Sequence, residues 1–367
     1  MKVVRVARRG FTLIELLVVV AIIALLISIL LPSLRCARDA ARTAKCGVQL
    51  RSIGNGMNAY FTENKDWIPG INTTGLGLRI QLRSNTDKLS VVRKPDMPTQ
   101  TWDWLTPILR YDTEMGDNRA KRFQMAINRY QCPSNEGIST DQLYYDAPPP
   151  DLTDFTNLID RWSPLSYLMP AHFQYWGQSD RFTDLWGNRL SGGSYIGAAV
   201  ASSGWEVVVN KYRSRVTEVG VAARKILASD ATRYLTREGI LDHAIDTEPT
   251  YFGSFTTAGG WWAGDESFGV KQGSLNWDGT KMNNGTNDPE SEGRNLRLTY
   301  RHGCIGSEVP TTAQANKGSI NAVFFDGHVS RMNDRQSREV EFWYPRGALV
   351  KKTDTGMTNV PLDFEIP

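Results

Sequence analysis

The chain lacks the usual marks of a catalyst. It contains no Gly-x-Ser-x-Gly elbow, no His-Glu-x-x-His pair and no Walker loop. The cluster Gly192-Gly193-Ser194-Tyr195-Ile196-Gly197 has the glycines but not the spacing of a phosphate-binding loop. No enzymatic activity is expected. A basic surface is missing as well. The formal charge is +3, but Lys2, Arg5, Arg8 and Arg9 place +4 in residues 1–10, leaving −1 for everything after. Nucleic-acid binding needs excess positive charge on the folded domain, so no such partner is expected. Internal repeats are absent. With 22% charged and 41% hydrophobic residues the composition excludes a disordered chain. Its 367 residues suffice for one large domain or two small ones.

Residues 11–31 lack something else: proline, glycine and every charge except Glu15. These 21 residues can cross the roughly 30 Å hydrocarbon core as a helix. A strand seldom exceeds about ten residues. A secretory signal has an apolar core of about 7–15 residues and a cleavage site after it, whereas here Pro32-Ser33-Leu34 leads into more helical pattern. A single-pass membrane helix is the expectation. An ionised carboxylate at membrane depth needs a partner or a function. In an intact chain Glu15 reaches the interface. After a cut behind Gly10, the new α-amine on Phe11 would be the cation nearest to it.

The segment Arg8-Arg9-Gly10-Phe11-Thr12-Leu13-Ile14-Glu15 resembles the class III signal of type IV prepilins and type II secretion pseudopilins. The resemblance implies cleavage after Gly10 by a prepilin peptidase and methylation of Phe11. It also implies a filament-assembly role for Glu15 and a helix kink at Pro32. The implied partners are that peptidase, other pilin-like subunits and the lipid bilayer. The implied location is the cytoplasmic membrane, with the leader in the cytoplasm and the head outside, in a periplasmic or surface filament. Charge alone does not orient the helix, because Arg35, Arg38, Arg42, Lys45 and Arg51 flank its far end.

Beyond Pro32 an apolar stripe runs through Leu34, Ala37, Ala41, Ala44 and Val48. After a slip it resumes at Leu50, Ile53, Met57 and Tyr60. Arg35, Arg38, Arg42 and Lys45 form a second stripe, either solvated or set against lipid headgroups or acidic neighbours. Gly54 and Gly56 lower helix propensity, so fraying is expected near residues 61–64. A helix from 11 to about 62 would be roughly 78 Å long at 1.5 Å per residue, longer than one head can cover.

The expected fold class is α+β: a long N-terminal helix packed on a β-rich head of antiparallel strands and long loops. The expected organisation is a leader at 1–10, a transmembrane half-helix at 11–31 and an amphipathic half at 32–64. A head at 65–347 and a tail at 348–367 follow. Helices are expected at 102–111, 118–130 and 152–162, and strands at 194–201, 225–229, 295–300 and 319–325. A surface loop is expected at the proline run 148–150, and a long excursion at 276–295.

In "INAVFFDGHVSRM", Asp326-Gly327 reads as a two-residue hairpin turn, with Phe325 facing His328. It also resembles the C-terminal processing-associated motif of prepilin-like proteins, which is His, nine residues, then Asp-Gly. Here 23 residues, 303–325, separate His302 from Asp326, and Thr311–Lys317 reads as the tip of a longer hairpin. The resemblance extends to Cys132-Pro133-Ser134 and to the stalk sequence beginning at Cys46. His302, Asp326 and His328 could form a zinc set, but the better reading is structural: Asp326 serves the turn and His302 bonds a nearby backbone. Oxygens for calcium are available at Asp278, Asn283, Asn287, Asp288 and Glu290, in a spacing that fits no defined loop. No metal or other cofactor is expected.

Cys36 and Cys46 lie about 15 Å apart on one helix and cannot bond within a chain. Cys46 with Cys132 is the preferred pair, tying stalk to head, and Cys304 is left free or otherwise paired. Of the eleven tryptophans, Trp261-Trp262 suit either a sugar platform or a core, and the core is favoured. The leading expectation is a pseudopilin- or minor-pilin-like structural subunit. The alternative is a membrane-tethered envelope protein whose tryptophan-rich head binds glycan or protein.

Overall fold

The computed structural model describes residues 12–69, 103–111, 114–135, 143–144, 151–158, 166–170, 173–174, 207–208, 212–232, 234–235, 241–244, 256–257, 297–298, 300–303, 318–333, 336–350 and 364–367. In chain order the helices are α1 (Leu13–Glu63), α2 (Leu105–Leu109), α3 (Arg119–Arg129) and α4 (Leu152–Thr156). The strands are β1 (Leu143–Tyr144), β2 (Tyr167–Pro170), β3 (Val207–Val208), β4 (Ile226–Thr232), β5 (Tyr234–Leu235) and β6 (Leu241–Ala244). They continue with β7 (Thr256–Thr257), β8 (Arg297–Leu298), β9 (Ser319–Phe324), β10 (Val329–Asn333) and β11 (Leu349–Val350). The architecture is α+β.

The main sheet runs β10-β9-β4-β2-β7, with β8 also paired to β4. Its four-strand body, β10 to β2, is antiparallel, while β7 adds in parallel at the edge. All six residues of β9 are buried, because both faces of the sheet are covered. On one face Val323 and the following Phe325 join α1, α2 and α3 in a core with Leu50, Ile53, Met57, Trp104, Ile108 and Phe123. On the other, Ile320, Ala322 and Phe324 meet Met332, Trp343, Tyr344 and Ile366.

Each helix follows from local chemistry. The Asn118 side chain accepts from the Lys121 amide at 2.8 Å and opens α3, as N-cap asparagines do. The apolar face of α3, Ala120, Phe123, Ala126 and Ile127, then turns inward. In α1, Gly54 and Gly56 do not fray the end, since the helix continues to Glu63. They let it sit close. A Cβ on Gly54 would lie 2.9 Å from Val323 Cγ2, and one on Gly56 would lie 3.4 Å from Ile108 Cβ.

The face of α1 that meets the head matches the expected stripe at Leu50, Ile53, Met57 and Tyr60 and differs from it in the first half. Leu34, Ala37, Ala41, Ala44 and Val48 are all exposed, Val48 by 69%. The covered face runs Cys36, Asp39, Thr43, Cys46, Leu50, Ile53, Met57 and Tyr60, at intervals of three and four with no slip. Polar and sulfur side chains in its first half carry the contact, which is why apolar periodicity picked the wrong side there.

Helix α2 occupies part of 102–111, and α4 part of 152–162. Strand β4 extends past 229, and β8 falls within 295–300. The strand expected at 194–201, the loop at 148–150, the excursion at 276–295 and the hairpin tip at 311–317 lie outside the described residues. The C-terminal stretch is not a free tail where it is described. Ala348 and Ile366 are fully buried, β11 pairs with β3, and Glu365 bridges Leu349.

Candidate functional site: the N-terminal helix and its seat in the head

At the start of α1, Thr12 and Glu15 form a reciprocal cap. The Thr12 amide and hydroxyl donate to Glu15 Oε2 at 2.9 and 2.8 Å. The Glu15 amide donates back to Thr12 Oγ1 at 3.3 Å. This capping box satisfies amides that a helix start leaves open. Glu15 thus finds partners within its own chain without any new α-amine. Every residue from Leu13 to Arg35 is exposed, so among the described residues nothing in the head covers the apolar half. That half is long and apolar enough to cross a membrane. Pro32 lies inside α1 and contributes no amide to the ladder. Gly10 and Phe11 lie outside the described residues.

Further along, the helix is seated by polar bonds. Asp39 Oδ2 accepts from the Gly303 amide at 2.8 Å, and the Thr43 carbonyl accepts from Asn321 Nδ2 at 3.2 Å. The Tyr167 hydroxyl donates to Gln49 Oε1 at 2.8 Å. A disulfide joins Cys46 to Cys132 with Cα atoms 5.2 Å apart. The Cys132 amide donates to Ser166 Oγ at 2.9 Å. Cys36 is disulfide-bonded as well, and Cys304 lies outside the described residues.

Behind that disulfide sits a buried charged set. His302 Nε2 is 2.9 Å from Asp230 Oδ2 and 3.8 Å from Cys132 Sγ. Asp230 Oδ2 also accepts from the Asn321 amide at 2.6 Å. Arg301, buried next to them, donates to the Ala231 carbonyl at 3.0 Å. Burial pulls the Arg301 pKa down, with Asp230 opposing it. Burial likewise pushes the Tyr167 hydroxyl well above the usual phenol range, with Asp230 adding to the effect.

The zinc set considered from sequence is not brought together. His302 pairs with Ser319, at the opposite end of β9 from Asp326 and His328. Six residues at about 3.3 Å each put roughly 20 Å between them. The His302 imidazole bonds the Asp230 carboxylate rather than a backbone group.

Asp326 does serve the turn, accepting from the His328 amide at 3.1 Å and lying 2.6 Å from its Nδ1. Partial burial raises the Asp326 pKa, but the His328 amide and ring outweigh it and hold the carboxyl below its ordinary range. The loop has three residues, not two. The Gly327 amide donates to the Phe324 carbonyl, the Phe324 amide donates to the His328 carbonyl, and Gly327 takes φ +87° while Asp326 does not take positive φ. This is the bulged hairpin built on Gly in the left-handed region. It is Phe324 that faces His328, with ring centroids 4.2 Å apart, while Phe325 tucks beneath α1 against Phe61 and Phe173.

The carboxylates named for calcium, Asp278, Asp288 and Glu290, and the pair Trp261-Trp262, lie outside the described residues. Trp104 and Trp343 are fully buried. Asp230 was missed from sequence. Its only signal was one acid inside the apolar run of β4, a pattern that calls for a buried partner.

Residues 5–31 match the family model for the prokaryotic N-terminal methylation motif. No curated protein matches the chain, and no solved structure does. The matched stretch holds Arg8, Arg9, Gly10, Phe11, Glu15 and most of the exposed apolar half of α1, so the chain carries an N-terminal segment of the type IV prepilin kind.

Proposed function

We propose that the chain is a pseudopilin- or minor-pilin-like structural subunit of a type II secretion or type IV pilus-like system. It is cut after Gly10 by a prepilin peptidase and held in the cytoplasmic membrane by residues 11–31, with its head outside. Helix packing then assembles it with other pilin-like subunits into a short filament. It performs no chemistry of its own. The observation that carries this reading is the two-sided helix: one face of α1 is seated in the head, while the leading half and the stripe Leu34, Ala37, Ala41, Ala44 and Val48 stay exposed. Apolar helix surface of that length calls for lipid on one part and neighbouring helices on the other.

Mass spectrometry of the membrane-extracted protein tests the processing step. A mature chain beginning at methylated Phe11 is expected. A chain still beginning at Met1, or cut elsewhere, removes the filament model and leaves α1 a tether. The charge of Glu15 is tested by comparing two substitutions. Glu15→Gln keeps a capping-box partner for Thr12, whereas Glu15→Ala removes it. If assembly needs the ionised carboxylate, both variants stay monomeric while Glu15→Gln retains helix content. Assembly by Glu15→Gln would show that the cap alone matters.

A further inference from the structure

Four ligand-type side chains converge behind the seat of α1 from remote parts of the chain: Cys46, Cys132, Asp230 and His302. All four are buried, and their donor atoms lie within 4.8 Å of one another. Asp230 Oδ1 has no hydrogen-bond partner, although the residue is fully buried. A buried oxygen left unsatisfied is unfavourable, and the other oxygen of the same carboxylate, Oδ2, already lies 2.9 Å from His302 Nε2. Two sulfurs, an imidazole nitrogen and a carboxylate oxygen are donor types of tetrahedral zinc.

We propose that reduction of the Cys46–Cys132 bond converts this cluster into a zinc site, so that the stalk is fastened to the head by a disulfide in one redox state and by Zn²⁺ in the other. A dithiol reductant delivers two electrons to the S–S bond and leaves as its own disulfide. The two cysteines bind Zn²⁺ as thiolates, and two protons pass to solvent. His302 ligates through Nε2, with the ring proton moving to Nδ1, and Asp230 ligates through a carboxylate oxygen. Three anionic donors leave the complex with one excess negative charge, which the buried Arg301 guanidinium offsets. Four protein ligands leave no open position, so the metal is structural rather than catalytic.

The test uses the full-length chain in detergent, without oxygen, with a non-coordinating phosphine as reductant and Co²⁺ as the probe. Reduced protein is expected to bind one Co²⁺, giving a sulfur-to-cobalt charge-transfer band and the strong visible bands of a tetrahedral site. Added Zn²⁺ should bleach both. Oxidised protein should show neither, and reduced Cys36→Ser should behave as wild type. His302→Gln and Asp230→Asn keep the disulfide, so their fold is checked in the oxidised form by circular dichroism. Reduced, each should bind Co²⁺ at least about 100-fold more weakly, since even outer partners of a metal site are worth 10–100-fold. Failure of reduced wild type to give the bands overturns the proposal, as does an unchanged spectrum in Cys132→Ser or in both folded ligand variants.

Discussion

At Gly54 an added methyl would gain about 1 kcal/mol of helix propensity, but it would meet Val323 Cγ2 at 2.9 Å in a fully buried contact. Overpacking of this kind costs about 1–3 kcal/mol, so packing wins. Gly54→Ala should lower unfolding stability by about 1 kcal/mol net, and Gly54→Val by more, read from denaturant midpoints. The glycine was visible in the sequence as a weak helix residue, but its purpose lies in a strand some 270 residues away.

Lys225 offers a second test. Its amine donates to the carbonyls of Glu341 and Pro367 at 3.0 and 2.9 Å. Burial lowers its pKa from 10.5 to about 8, with Glu341 opposing and Arg224 adding to the shift. Between those two values the unfolded chain holds the proton and the folded chain does not. Stability therefore gains a contribution that rises with pH across that window. Lys225→Met should remove that rise, seen as a wild-type-minus-variant difference that grows from about pH 8 to 10.5. A difference independent of pH would refute it.

Among the elements, α3 was the most legible, because Asn118 is a side-chain cap and the residues after it have helical period. Strand β9 was found to within one residue. The hairpin after it was recognised, but its loop was read one residue short. Asp-Gly serves both loop lengths, and only the left-handed glycine following a non-left-handed aspartate separates them. The disulfide between α1 and the loop after α3 closes a sequence separation of 86 residues. Chain-entropy arithmetic for a loop of that size gives about 4.6 kcal/mol. In metal-free buffer, Cys132→Ser should lose stability of that order in chemical denaturation. A loss below about 1 kcal/mol would mean that the polar bonds of Asp39 and Thr43 already hold the helix.

For the whole molecule, the decisive feature is which side of α1 faces out. Ala44→Glu and Val48→Glu fall on exposed positions, so each should change the stability of the isolated subunit by no more than about 0.5 kcal/mol. Each should nevertheless reduce co-assembly, measured by crosslinking in membranes. Leu50→Ala, on the covered side and fully buried, should do the reverse, costing about 2–5 kcal/mol in the subunit itself. The stalk-and-head layout was legible because a charge-poor run of 21 residues has few physical outcomes. Of the seat, the Cys46–Cys132 pair was expected and is present, but its junction with Asp230 and His302 was not legible, because those residues meet the cysteines only through tertiary folding and share no local pattern.

The position of Cys46 along α1 also has a mechanical meaning. Tension applied through the membrane half enters the head along the helix axis and reaches Cys46 before Leu50, Ile53, Met57 and Tyr60. With the disulfide intact, the load passes into covalent chain at Cys132 and bypasses the apolar grip. Once the disulfides of α1 are opened, the same pull must be borne in shear by the polar bonds of Asp39 and Thr43 and by the contact of Gly54 with Val323 near the end of β9, and the subunit becomes a slip joint instead of a rivet.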